Sequence, residues 1–137
     1  MSEITLGILG GGQLGSMLSI AAKKLNIKTI IYCDDQDAPA QKFCDEFIYA
    51  KYDDKNEIYN FAKKVDIITY EFENIPFETL NELNKLKTVL PKPAVNRLIQ
   101  HRLAEKDFVN KLNIRTTRYV HIKNKDELLP LDDFLPG

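Results

Sequence analysis

An apolar run from Ile4 to Leu9 leads into Gly10-Gly11-Gly12-Gln13-Leu14-Gly15, and Ser16-Met17-Leu18-Ser19-Ile20-Ala21-Ala22 follows. The order is strand, then Gly10-x-Gly12-x-x-Gly15, then helix. No other stretch narrows the fold as much. Glycines let a strand turn sharply into a helix and let backbone approach a ligand closely. The helix that follows points its free N–H groups and positive dipole end at the same place. The pattern predicts the first crossover of an α/β fold, with the turn as a site for a phosphate-bearing ligand. The alternative is a glycine turn kept only for close helix–strand packing.

Short apolar runs and amphipathic stretches alternate along the chain, which predicts a Rossmann-like, doubly wound parallel sheet. Strands are expected at Ile4 to Leu9, Lys28 to Cys33, Phe47 to Ala50, Asp66 to Tyr70 and Thr88 to Leu90. Asn26 is a plausible stop for the first helix. Ile58, Phe61, Ala62 and Val65 mark a second helix over Asn56 to Lys64. Pro76 suits a helix start, and Leu80, Leu83 and Leu86 carry that helix's apolar face. Past Pro91-Lys92-Pro93, Val95, Leu98 and Ile99 mark one helical face. Leu103, Phe108, Val109 and Leu112 mark another, closed by Asn113. A strand is expected at Arg118 to Ile122, and a last helix over Asp126 to Phe134, interrupted at Pro130.

The 137 residues carry a net charge of −1, so no basic field argues for nucleic acid. No apolar stretch is long enough to span a membrane, and Met1-Ser2-Glu3 lacks the basic start of a secretion signal, so a cytoplasmic location is expected. Cys33 and Cys44 have neither metal-ligand spacing nor a histidine cluster beside them, which disfavours a disulfide or a metal site. Cys33 fits the end of a buried strand. His101 and His121 are isolated and read as surface or packing residues.

Glu71-Phe72-Glu73-Asn74-Ile75-Pro76 follows the fourth strand directly. In a doubly wound sheet, ligands bind at the carboxyl ends of the strands, where the strand order reverses. Alternate residues of a strand share a face, so Glu71 and Glu73 are expected to point together and Phe72 away. Two carboxylates and an amide there suit ribose hydroxyls or an amino group. Alternatively, Asn74 caps the next helix and both glutamates are solvated. Asp34 and Asp35 end the second strand about 20 residues beyond the glycines, where an acid would hold the ribose of NAD. That supports a dehydrogenase domain as a competing function.

Several segments together resemble one family. Gly7-Ile8-Leu9-Gly10-Gly11-Gly12-Gln13-Leu14-Gly15, Thr69-Tyr70-Glu71-Phe72-Glu73-Asn74-Ile75-Pro76, Gln100-His101-Arg102-Leu103-Ala104-Glu105-Lys106 and Leu112-Asn113-Ile114-Arg115-Thr116-Thr117 are similar, in order and spacing, to the N-terminal part of the N5-carboxyaminoimidazole ribonucleotide synthetases. These are ATP-grasp ligases of purine biosynthesis. The resemblance implies a Rossmann-like pre-ATP-grasp domain over residues 1–117. Residues 118–137 would begin the connection to an ATP-grasp domain. It further implies that ATP, with magnesium, and bicarbonate give carboxyphosphate, whose carboxyl group passes to the exocyclic amine of 5-aminoimidazole ribonucleotide. Such chemistry rests on positioning and electrostatic stabilisation. By the same resemblance, Gly10, Gly11, Gly12, Gln13 and Leu14 would face the ribonucleotide's phosphate or ribose. Glu71, Glu73 and Asn74 would lie near its sugar and imidazole. Arg102 matches an ATP-contacting arginine. From the residues alone, Arg102 reads as a helix charge paired with Asp107 or Glu105.

The sequence departs from the family's pattern in two places. Ser16 stands where an arginine is usual, and His101 where an aspartate usually precedes Arg102. The chain also stops near where the ATP-grasp domain should begin. It is therefore expected to be a truncated, split or degraded form, inactive alone, with Leu128, Leu129, Leu131, Phe134 and Leu135 exposed or paired with a second copy as a homodimer. A non-catalytic remnant with no ligand is the third reading.

Overall fold

Thr5–Leu9 (β1), Lys28–Cys33 (β2), Glu46–Tyr49 (β3), Ile67–Tyr70 (β4) and Thr88–Val89 (β5) pair into one sheet of the computed structural model, which describes residues 4–128. The strand order is β3-β2-β1-β4-β5, and every pairing is parallel. β1 lies between β2 and β4, so the chain's direction of winding reverses there. Leu9 pairs with both Tyr32 and Tyr70, which brings the carboxyl ends of these three strands level. The strand pattern is the one the alternation predicts, with bounds moved by a residue at some ends. Parallel strands are covered on both faces, and the unbroken burial of Thr29 to Cys33 follows from that.

Helices Gln13–Lys24 (α1), Lys55–Lys64 (α2), Phe77–Leu86 (α3) and Pro93–Ile99 (α4), with a 3-10 turn at Pro39–Lys42, complete the unit that ends at Gln100. Leu9, Ile30, Tyr32 and Ile68 pack on one face with Ile58, Phe61 and Ala62 of α2 and Leu80 and Leu83 of α3. Ile8, Ile31 and Cys33 pack on the other with Ala38 and Ala40, and α1 lies against the same 3-10 turn. Cys33 is buried and free, as its strand-end place suggests, and Cys44 is free as well; burial pushes the Cys44 thiol up.

Local chemistry sets the helix ends. Asp54 caps α2 by accepting from the N–H groups of Asn56 and Glu57. Past α1, Asn26 takes φ 56° and the Ile27 N–H reaches back to the Ala22 carbonyl, a left-handed cap. Asn tolerates that backbone better than most residues.

Among the described residues, those from His101 to Leu128 belong to a second unit. Its helix, Arg102–Lys111 (α5), is capped by His101, whose ring nitrogen accepts from the Ala104 N–H at 3.3 Å. The imidazole thus does what a carboxylate would do at that position. The Tyr119 hydroxyl donates to Asp107 at 2.6 Å, and Asn113 closes the helix at φ 59°. The strand expected at Arg118 to Ile122 does not form. Its β-branched residues stay largely exposed, Val120 at 48% and Ile122 at 36%. Propensity alone builds no ladder. Only a 3-10 turn at Lys125–Leu128 is seen where the last helix was expected. The remainder of that helix, and the side chains from Leu128 to Leu135, lie outside the described residues. No helix among the described residues is long and apolar enough to cross a membrane.

One core contact fixes how close α2 lies to the sheet. A Cβ on Gly7 would come within 2.6 Å of the Phe61 ring and 3.1 Å of Val65. Both side chains are buried and have no room to retreat. Gly7→Ala is expected to destabilise the domain by about 1–3 kcal/mol through overpacking, measured by urea denaturation.

Candidate functional site

The Gly10 N–H donates to the Tyr32 carbonyl at 2.9 Å, and the Glu71 N–H donates to the Leu9 carbonyl at 3.1 Å. The turn after β1 and the loop after β4 therefore leave the sheet side by side. Gly10 then takes φ 101°, a conformation open in practice to glycine. Gly12 is the N-cap of α1, and Gly15 sits three residues on. The Gly12 N–H donates to one oxygen of the Glu71 carboxylate at 2.6 Å, and the Gly15 N–H to the other at 2.5 Å. In an ordinary capping box, the N-cap and N3 side chains satisfy each other's backbone N–H groups. Here both positions are glycines, and a carboxylate 56 to 59 residues further along the chain does both jobs.

The glycines make room for that acid. A Cβ on Gly10 would lie 2.5 Å from Glu71 Cγ, and one on Gly12 would lie 2.8 Å from its carboxylate. Gly11 serves packing instead, since its Cβ would meet Ala38 at 2.7 Å. The amides of Gly12 and Gly15 are thus not free donors: both are engaged by Glu71. Ser16 is buried, and its hydroxyl donates to the Gly12 carbonyl at 3.0 Å, so it adds no cation. Gln13 and Leu14 are exposed at the rim.

β4 ends at Tyr70, so the strand alternation that would pair Glu71 with Glu73 does not extend to them. Glu71 turns to the glycines, Phe72 packs against the core, and Glu73 and Asn74 are exposed. Asn74 does not cap α3, whose N-cap is Pro76 without a side-chain bond.

What holds this loop comes from α4. The Asn96 side chain, fully buried, donates to the Ile75 carbonyl at 3.0 Å. Gln100 donates to the carbonyls of Glu73 at 2.7 Å and Ile75 at 2.8 Å. Sequence reasoning passed over both amides. The available signal was slight: Asn96 lies three positions after Pro93 and three before Ile99, and the structure buries it while Val95, expected on the apolar face, is exposed.

Asp35 accepts from the Asp37 N–H at 2.9 Å, which shapes the loop after β2. Tyr52 is buried with its hydroxyl unpartnered, and burial, with Cys33, Asp34 and Glu71 nearby, pushes that phenol up. The loops after β1, β2 and β4 carry Asp34, Asp35, Asp37, Glu71 and Glu73, and neither lysine nor arginine. Such an edge favours hydroxyl and amine donors over anions. Among the described residues, no group of three or more His, Cys, Asp or Glu is placed to hold a metal ion. In the second unit, Arg102 is exposed and pairs with Glu105.

The ribonucleotide synthetase preATP-grasp domain family matches residues 3–100. The chain belongs to that family. The preATP-grasp chain is 39% identical over 124 residues to the bifunctional purine synthesis protein purC/E of Dictyostelium discoideum, covering 90% of this chain and 12% of that protein. It is 38% identical over 125 residues to the N5-carboxyaminoimidazole ribonucleotide synthase of Brucella melitensis, covering 91% of this chain and 34% of that enzyme. Among solved structures, the Staphylococcus aureus N5-carboxyaminoimidazole synthetase complexed with ADP superposes with a TM-score of 0.85 at 32% identity, over 96% of this chain and 35% of that one. The Aspergillus clavatus N5-carboxyaminoimidazole synthase, in complex with ADP and 5-aminoimidazole ribonucleotide, superposes with a TM-score of 0.80 at 27% identity, over 97% of this chain and 36% of that one. This chain thus spans about a third or less of its relatives' length. The relatives are ligases of purine synthesis and give no support to an NAD-dependent dehydrogenase. The geometry agrees with them, because the turn that would cradle a dinucleotide's pyrophosphate holds Glu71 instead.

The amides of α4 yield a direct expectation. Replacing both Asn96 and Gln100 by alanine leaves the carbonyls of Glu73 and Ile75 without these donors. The double variant is expected to lose about 1–3 kcal/mol of stability, measured by urea denaturation against the unsubstituted chain.

Proposed function

We propose that this preATP-grasp domain forms one wall of the ribonucleotide site of a ligase that carboxylates 5-aminoimidazole ribonucleotide with bicarbonate and ATP in purine synthesis. The observation that carries the reading is the acidic carboxyl edge at the switch between β1 and β4, in a chain whose relatives are ligases of this pathway. Glu73 and Asn74, exposed on a loop that α4 pins, accept from ribose hydroxyls or the exocyclic amine. Gln13 and Leu14 meet the ligand from the rim of the turn formed by Gly10, Gly11 and Gly12. Glu71 acts from beneath, through the glycine amides.

Arg102 belongs to the ATP half of the same proposal. Its exposure leaves the guanidinium available to a phosphate, for which a planar, permanently charged fork is well suited. The remaining ATP contacts, magnesium and the bicarbonate site fall to parts of the ligase beyond this chain. The described residues hold no group of three or more His, Cys, Asp or Glu placed to bind a metal ion. Residues 118–137 serve as the connection to the ATP-grasp domain. A cytoplasmic location and a homodimer complete the reading. Met17 and Ile20 on α1 and Leu25 at its C-cap, exposed at 59%, 40% and 70%, support a pairing face.

A parallel titration of this chain with 5-aminoimidazole ribonucleotide and NAD tests the ligand. Weak binding of the ribonucleotide, on the order of millimolar or about −4 kcal/mol, is expected, with amide shifts at Gln13, Glu73 and Asn74 and none with NAD. Shifts with NAD alone would sink the reading. When the chain is joined to the downstream domains of a relative, bicarbonate-dependent ATP hydrolysis is expected to appear. In that protein Arg102→Ala should raise the apparent KM for ATP roughly tenfold to hundredfold, as the loss of a charge-assisted contact implies. Unchanged ATP kinetics would leave Arg102 as a surface charge paired with Glu105.

A further inference from the structure

We propose that Glu71 is the built-in anion of the glycine turn: its carboxylate takes the amide groups a phosphate would need, fixes Gly12 to Gly15 in place, and keeps phosphate out of that nest. It is a positioning residue for the site proposed above, and rests on that reading only for the identity of the ligand at the rim.

The geometry is that of an occupied anion site. Gly12 and Gly15 donate to opposite oxygens of one carboxylate, at 2.6 and 2.5 Å. Cβ atoms on Gly10, Gly12 and Gly15 would all fall within 3.3 Å of Glu71 side-chain atoms. Glycines at those places therefore leave room for the acid itself. The stem is anchored too, because the Glu71 N–H is bound to Leu9 at the end of β1. The sheet delivers this carboxylate to the helix N-terminus, where a negative charge is stabilised by the dipole.

Displacement by phosphate is disfavoured on two counts. An incoming phosphate must break two charge-assisted hydrogen bonds and leave the displaced carboxylate beside it. It must also enter an edge whose flanking loops bring Asp34, Asp35, Asp37 and Glu73 with no lysine or arginine. The turn thus presents Gln13 and Leu14 from a fixed rim. Removing Glu71 should create the phosphate receptor that the glycine pattern promises.

The experiment follows the Gly12 and Gly15 amide resonances of this chain during a titration with inorganic phosphate, in wild type, Glu71→Ala and Glu71→Gln. In wild type neither resonance should move. In Glu71→Ala both should shift saturably with phosphate and with acetate, and either anion should restore melting temperature lost with the carboxylate. Glu71→Gln keeps the volume but sets an amide N–H against one of the glycine donors. Exchange of the Gly12 or Gly15 amide should then rise at least tenfold, with no phosphate binding.

Saturable phosphate shifts of both glycines in wild type would overturn the proposal, as would unchanged exchange in Glu71→Gln. If Glu71→Ala fails to fold, those two arms decide alone. A separate titration of wild type with 5-aminoimidazole ribonucleotide tests the substrate. Absence of any shift there sinks the proposed function and leaves the phosphate result standing. Ribonucleotide shifts centred on Gly12 and Gly15 would instead overturn the assignment of Glu71.

Discussion

The Glu71 carboxylate joins the two halves of the sheet at the place where the strand order reverses. Its oxygens receive the N–H groups of Gly12 and Gly15, and its backbone is bonded to Leu9. Strand β1, the turn, helix α1 and the loop after β4 are thereby locked into one another. Each charge-assisted bond of this kind contributes about 1.5–3 kcal/mol in mutational series, a sizeable share of the roughly 5–15 kcal/mol of net stability of a native domain. The direction in which α1 leaves the sheet, and hence where Gln13 and Leu14 stand, depends on this contact. A helix start with glycine at both N-cap and N3 has no side chain of its own to satisfy its amides.

A second set of contacts builds the other wall. Pro93 starts α4, and the helix then presents Asn96 and Gln100 to the carbonyls of Glu73 and Ile75. A loop without regular structure is held by side-chain amides, which leaves Glu73 and Asn74 exposed on a fixed backbone. Rigid elements carrying exposed polar residues at the carboxyl ends of strands are the usual arrangement of ligand sites in open α/β sheets. The solved relatives with bound ADP or 5-aminoimidazole ribonucleotide share this fold over nearly the whole of the chain.

Much of the fold is legible in the residues. The apolar runs of β1 and β2 are buried over most of their length and β4 is buried at Ile68, and such runs can be little else in a chain with amphipathic stretches between them. Asn26 and Asn113 end their helices in the left-handed region as their type suggests. Arg118 to Ile122 shows the limit. Those residues have strand propensity, but a ladder needs a second strand, and among the described residues no strand is assigned there. The acidic segment shows the limit differently. Its importance could be read from its place after β4, yet the partners of Glu71 could not, because a carboxylate's acceptors are directionless in sequence.

The sequence by itself determined the strand and helix pattern as far as Gln100, the glycine turn, the acidic edge and the resemblance to the ribonucleotide synthetases. These are properties of local spacing and side-chain type, which act over a turn of helix or the length of a strand. The tertiary structure alone decided that Glu71 fills the nest at Gly12 and Gly15, that Ser16 turns inward, and that Asn96 and Gln100 hold the loop of Glu73. Most of those contacts join residues 21 to 59 positions apart. Hydrogen bonds form only within about 3 Å and at favourable angles, so the folded sheet had to bring their partners together before any of them could be known.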